Sequence, residues 1–234
     1  MSDEGTPEPA VPAATVVLLR DTPEGIETLM LRRDTQLAFA GGAWVFPGGR
    51  IDPEDYPNGA AADDPDAVFE AARNAAAREA MEEAGLTVDP DGLVWFAHWT
   101  PPHGAGTRRR FATWFFAARA PSGMVVVDDG EIRDHVWIRP ADALRRRDAG
   151  EILIIPPTWV TLHTLASAES VDNLLARLGA AEPDVYVTRM GRVDGVGVSM
   201  WAGDAGYDDG DAEKPGPRHR LLMDETGWRL ERDV

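Results

Sequence analysis

The sequence predicts an α+β fold with a C-terminal β-rich extension, and three observations carry that expectation. Apolar, β-branched runs separated by Gly/Pro turns occupy residues 14–51. One long alanine-rich stretch in the middle has strong helix-forming composition. After Asp184 the helical pattern ceases and short strand-like runs alternate with glycine-rich turns.

The elements follow in chain order. Residues 1–12 are acidic and proline-rich and read as a disordered tail. "ATVVLLR" (14–20) and "IETLMLRR" (26–33) read as strands joined by the turn "DTPEG". "AWVFPGGRI" (43–51) is a short strand running into a glycine turn, and residues from about 50 to 66, rich in Asp, Pro, Gly and Ala, read as an inserted loop. The helix follows: Asp64 with Pro65, or Asp66, can begin it, and Gly85 ends it as a left-handed cap. Strands are expected at 92–102, 109–120 and 133–140, and helices at 140–150, 156–167 and 170–179. The main domain thus spans 13–180 and the β-rich extension 181–234, with 203–216 as a mobile loop between its strands.

Composition restricts the chemistry. The chain has 234 residues, a formal net charge of −17 and no cysteine, which rules out disulfides, thiolate metal sites and cysteine nucleophiles. So acidic a surface repels duplex DNA and anionic membranes, so neither is expected as a partner. Positive charge is almost all arginine, since Lys214 is the single lysine. The N-terminus lacks the basic and apolar regions of a signal peptide, and no apolar run approaches the ~18 residues of a membrane span. A soluble, cytoplasmic protein is expected.

Residues 78–86, "REAMEEAGL", pose the functional question. On a helix, Glu82 lies about 60° behind Glu79 and Glu83 about 40° ahead, so three like charges share one face. Such charges repel by a few tenths of a kcal/mol each. A solvated acidic face accounts for this; so does a shared hard cation such as Mg²⁺, whose usual protein site is one or two carboxylates plus substrate phosphates.

The wider pattern, "FPGGR…E…REAMEEAGL", resembles the signature of the Nudix hydrolase superfamily, G-x5-E-x7-R-E-U-x-E-E-x-G-U with U aliphatic. Glu70, Arg78, Glu79, Glu82, Glu83, Gly85 and Leu86 stand in register, with Ala80 at the first U position. Asp64 stands where the opening glycine belongs, and Gly49 lies 21 residues before Glu70, so the loop carries an insertion. A helix beginning near Pro65 turns Glu70 about 180° from Glu79.

The resemblance implies a Nudix fold, a mixed β-sheet sandwiched between helices. It also implies an enzyme that uses Mg²⁺ or Mn²⁺ to hydrolyse a nucleoside diphosphate linked to another moiety. Glu79, Glu83 and Glu82 become the expected metal ligands with the carbonyl of Gly48, and Arg78 orients a carboxylate. Glu70, Gly49 and Gly85 are supporting residues. Glu131, in "DDGEIRDHVW", is the candidate base outside the signature; an ordinary turn charge is its other reading. Residues 29–49 partly resemble the pattern preceding the signature in coenzyme A diphosphatases: Leu29, Arg33, Gly42 and "FPGG" match, while Leu31, Asp34 and Ala38 depart. Together with "IIPPTWVTL" (154–162), this is similar to the peroxisomal-type branch and its bacterial relatives. Coenzyme A or an acyl-CoA is therefore the first substrate implied and ADP-ribose or NADH the second, with a non-catalytic Nudix-fold ligand-binding protein as the rival of another class. Arg33, Arg108, Arg109 and Arg110 are candidate phosphate contacts. His98 and His103 read mainly as packing residues, and a homodimer is an open expectation.

Overall fold

The computed structural model describes residues 9–36, 40–57, 60, 64–102, 110–127 and 130–233. Its strands are β1 (Val11–Thr22), β2 (Gly25–Arg33), β3 (Trp44–Val45), β4 (Gly48–Arg50), β5 (Val94–Thr100), β6 (Phe111–Arg119), β7 (Ile132–Ile138), β8 (Asp184–Val187), β9 (Arg189–Val193), β10 (Val196–Met200), β11 (His219–Asp224) and β12 (Gly227–Arg232). The helices are α1 (Pro65–Ala84), α2 (Pro140–Asp148), α3 (Pro156–Leu165) and α4 (Val171–Ala180), with 3₁₀ turns at Pro53–Asp55 and Pro90–Gly92. None is long and apolar enough to cross a membrane.

The fold is α+β, with a large mixed sheet and a second, antiparallel sheet at the C-terminus. The large sheet runs β3-β2-β1-β6-β5-β8, with β4 also pairing β1 and β7 also pairing β2. The second runs β12-β11-β10-β9.

The chain divides into two compact units. The larger holds residues 13–98 and 113–185. Its core joins Ala14, Val16 and Leu18 of β1 and Leu29 and Leu31 of β2 to Ala71, Ala72, Ala75, Ala76 and Ala80 of α1. Alanine on this face lets α1 lie close to the sheet, because each side chain adds only one methyl group of thickness.

The smaller unit contains, among described residues, 9–12, 99–102, 110–112 and 186–233. Trp99 stacks on Tyr186 at 3.9 Å between ring centroids, and Trp201 meets Tyr186 edge-on at 5.0 Å. The segment expected as a mobile loop, 203–216, is instead organised around a buried ion pair. Asp204 accepts from Arg220 Nε and Nη2, both at 2.6 Å, and from the backbone N–H groups of Gly206 and His219. Arg220 Nη1 reaches the Ala212 carbonyl at 2.7 Å. Burial pushes the Asp204 carboxyl up, but Arg220 and the backbone donors outweigh it and bring the pKa down to about 2.

Two further expectations change. Residues 11 and 12 of the expected tail belong to β1, where Val11 N–H donates to the Arg110 carbonyl; residues 1–8 lie outside the described residues. Gly48 and Gly49 form strand rather than turn, because β1 pairs them: Thr15 opposes Gly48 and Ala14 opposes Gly49.

Candidate active site

Helix α1 and strand β4 build the site. Asp64 caps the helix by accepting from Asp66 N–H at 3.0 Å, and Pro65 occupies the first turn, where no donor is needed. Gly85 ends it at φ 67°, a conformation glycine adopts without Cβ strain. The alanine face of α1 is buried, which presents Arg78, Glu79, Glu82 and Glu83 toward the Gly48–Arg50 segment.

Close approach of the backbone requires glycine at Gly48, and Gly49 lies hard against the Glu79 carboxylate. A Cβ on Gly49 would stand 2.2 Å from Glu79 Oε1, and one on Gly48 would stand 2.4 Å from Thr15 Oγ1 and 2.5 Å from the Ala14 carbonyl. Gly48 N–H donates to Glu83 Oε2 at 3.0 Å.

Arg78 is the hub. Its Nη1 donates to Glu79 Oε1 at 2.8 Å and Glu82 Oε2 at 3.0 Å. Its Nε and Nη2 grip Asp55 at 3.0 and 2.9 Å, and Nη2 also reaches the Arg50 carbonyl at 3.0 Å. Asp55 and then the neighbouring carboxylates hold this guanidinium firmly protonated. Asp55 is itself fixed: its side chain accepts from Asp52 N–H at 2.8 Å, and its carbonyl accepts from Asn74 Nδ2 at 2.8 Å.

The carboxylates differ in environment. Glu83 is 6% exposed, and burial pushes its carboxyl up to about 8 against the opposing pull of the Gly48 N–H. Burial also raises Glu79, while Arg78 opposes the rise. Glu82 is largely exposed. The charge of Glu131 is felt at both Glu79 and Glu83, so the structure brings this residue to the cluster. Its Oε2 accepts from Arg33 Nη2 at 3.0 Å.

Other expected site residues stand elsewhere. Glu70 is exposed on α1, nine residues before Glu79 and hence about 180° around the helix. The acid that pairs with Arg78 is Asp55 rather than Glu70. A sequence signal for it exists: Gly49-x5-Asp55 has the signature's own opening spacing. The insertion therefore falls after this acid rather than before it. Arg110 donates to the Pro101 carbonyl at 3.3 Å. Arg108, Arg109 and His103 lie outside the described residues, as do Asp128 and Asp129 beside Glu131. His98 lies edge-on to Trp114 at 4.5 Å, and burial lowers its pKa, as befits a packing residue.

Residues 9–156, more than half the chain, match the family model described as NUDIX domain. A NUDIX hydrolase from Alicyclobacillus acidocaldarius superposes with a TM-score of 0.62 at 24% identity, over 74% of this chain and 99% of that one. A C. elegans Ap4A hydrolase binary complex gives 0.43 at 23% identity, over 66% and 93%. The NUDIX domain of Shewanella oneidensis NrtR complexed with ADP ribose gives 0.44 at 17% identity, over 59% of this chain and 78% of that one. Neither of the last two likenesses bears on this chain's substrate. The chain belongs to the NUDIX domain family and is an enzyme of the Nudix hydrolase class.

Enzymes of this class generally use divalent metals such as Mg²⁺ or Mn²⁺. The donor set fits such an ion: hard carboxylate oxygens, two of them on residues whose burial disfavours the charged form until a cation arrives. The side chains do not converge as they stand. Among the described residues no three acidic or histidine side chains lie close enough to hold one metal ion. Arg78 and the Gly48 N–H hold the carboxylates instead.

Proposed function

We propose that this chain is a divalent-metal-dependent pyrophosphohydrolase cleaving a nucleoside diphosphate linked to another moiety, with coenzyme A or an acyl-CoA the first substrates to test. The observation that carries this reading is the Arg78 hub: one guanidinium aligns Glu79 and Glu82 beside Glu83, against a glycine strand that leaves them room. Such an assembly would be costly as a mere surface, because like charges are gathered and partly buried.

In this reading Glu79, Glu82 and Glu83 would hold Mg²⁺ or Mn²⁺ with the carbonyl of Gly48. Such an ion would supply charge neutralisation at the diphosphate and a more acidic attacking water. The chain's own residues do the positioning. Arg78 orients Glu79 and Glu82, and Asp55 orients Arg78. Gly49 keeps β4 close to Glu79, and Gly85 ends the helix beyond Glu83. Glu131, outside the signature but electrostatically coupled to it, is the group to accept a proton from the attacking water. Support for coenzyme A comes from the partial pattern Leu29, Arg33, Gly42 and "FPGG" ahead of the signature. The cytoplasm, where such nucleotides are abundant, is the proposed location.

The test is a substrate screen with Mg²⁺ and Mn²⁺, following products by mass. Cleavage of coenzyme A to 4′-phosphopantetheine and 3′,5′-ADP is expected. Turnover of ADP-ribose or NADH in its place would keep the reaction class and replace the substrate. Ligand-induced melting shifts without any turnover would replace the enzyme reading with a binding protein.

A further inference from the structure

The two guanidiniums beside the carboxylates are held differently. Arg78 has all three nitrogens engaged. Arg33 does not: Nη2 donates to Glu131, while Nε is buried without a hydrogen-bond partner among the described residues. A buried, unsatisfied donor costs about 1–3 kcal/mol, so its persistence calls for a reason. Nε and Nη2 form one edge of the guanidinium, the edge with which Arg78 grips both oxygens of Asp55. On Arg33 the same edge is half used.

The backbone fixes Arg33 where this matters. Its N–H donates to the Ala43 carbonyl at 3.0 Å, and its carbonyl accepts from Gly42 N–H at 3.1 Å. Between Arg32 and Arg33 the pairing of β2 with β7 shifts register: Arg32 opposes Asp134, but Arg33 opposes Ile132. Irregularities of this kind re-aim a side chain. Here the shift sets Arg33 against Glu131, whose carbonyl accepts from Asp34 N–H at 2.8 Å. The Arg33 side chain is 18% exposed and that of Glu131 58%, so the acid is the partner with room to move. Arg33 also acts on Glu83 as a favourable charge, while Glu131 acts on it as an unfavourable one.

We propose that Arg33 and Glu131 are an exchangeable pair: a substrate phosphate takes the Nε–Nη2 edge of Arg33 and releases the Glu131 carboxylate to act beside Glu79 and Glu83. Two phosphate oxygens satisfy both donors, which the single Glu131 oxygen does not. The acid would then be paired with Arg33 before substrate arrives and leave that guanidinium only when a diphosphate takes its place. The inference rests on the reading above, because it needs a phosphate-bearing ligand at the cluster.

The test is calorimetric titration of ADP into the full chain with Mg²⁺, using wild type, Glu131→Gln, Arg33→Met, Arg33→Lys, the double variant Arg33→Met/Glu131→Gln and, as a charge control on β7, Asp134→Asn. Glu131→Gln should bind ADP about threefold or more tighter, and Arg33→Met about tenfold or more weaker. Arg33→Lys keeps the charge but loses the fork, and should bind within about threefold of Arg33→Met. In the Arg33→Met background the effect of Glu131→Gln should vanish, and Asp134→Asn should leave affinity unchanged. Equal tightening by Glu131→Gln in both backgrounds would mean general electrostatics and would overturn the exchange, as would no tightening at all. Wild-type protein that binds no ADP would overturn the pyrophosphohydrolase reading and the exchange with it. Melting curves of each variant separate these outcomes from misfolding.

Discussion

Asp55 and Glu70 both stand where the signature wants an acid, and their surroundings separate them. Asp55 is buried against Arg78, while Glu70 is exposed on the far side of α1. Asp55→Asn should lower stability by about 1–3 kcal/mol, since it leaves a partly buried guanidinium underpaired, and should slow hydrolysis at least about tenfold. Glu70→Gln should change stability by less than about 0.5 kcal/mol and leave the rate alone. Paired denaturation and kinetic measurements check both. The acid was legible by counting forward from Gly49; counting backward from Arg78 reaches Glu70, because the insertion moves one end of the pattern relative to the other. Glu131 was legible as an acid just before a strand, but its pairing with Arg33 spans 98 residues and has no local signal. Glu131→Gln should lower kcat at least about tenfold if it takes the proton from water. Glu83 adds a pH signature. Its folded pKa of about 8 lies above the ordinary 4.5, so the folded state holds the extra proton between these values. Stability of the metal-free protein should therefore be greatest below about 4.5 as far as this group is concerned and should fall as pH rises toward about 8. Urea midpoints measured in EDTA across that range should flatten in Glu83→Gln, which should also abolish turnover with the fold intact.

At the scale of elements, α1 carries both the core and the chemistry, and its alanine face sets how far the carboxylates stand from β4. Ala76 is fully buried in that face. Ala76→Leu should destabilise by about 1–3 kcal/mol through overpacking and should slow hydrolysis by lifting the helix; a methyl-sized change elsewhere on its exposed surface should do neither. Most elements were legible because their patterns are local: apolar runs for β1 and β2, alanine content and a Gly85 cap for α1. The Gly48–Gly49 pair was not. Locally it reads as a turn, and only the partner strand β1 makes it extended.

At the scale of the whole molecule, the proposed activity asks a chain of net charge −17 to bind a polyanion against its own field. That places weight on the arginines beside the cluster, Arg33 and Arg78. In the smaller unit, the Gly- and Asp-rich stretch 203–216 suggested a loop with no fixed place, since nothing nearby in sequence announces that Asp204 will meet Arg220 sixteen residues on. The side chains of that pair are 0% and 3% exposed. Asp204→Ala should cost about 3–5 kcal/mol, because it strands a buried guanidinium, and the drop in denaturation midpoint measures it.

The insertion leaves Asp55 pinned by Arg78 and Asn74 on one side and Asp64 committed to capping α1 on the other. Lengthening the link between those two anchors would add loop-closure entropy. That entropy grows only logarithmically, about 0.6 kcal/mol for each doubling of length. Between Asp55 and Asp64 the chain thus has a port: foreign sequence spliced there should be carried at small thermodynamic cost while both anchors keep their partners.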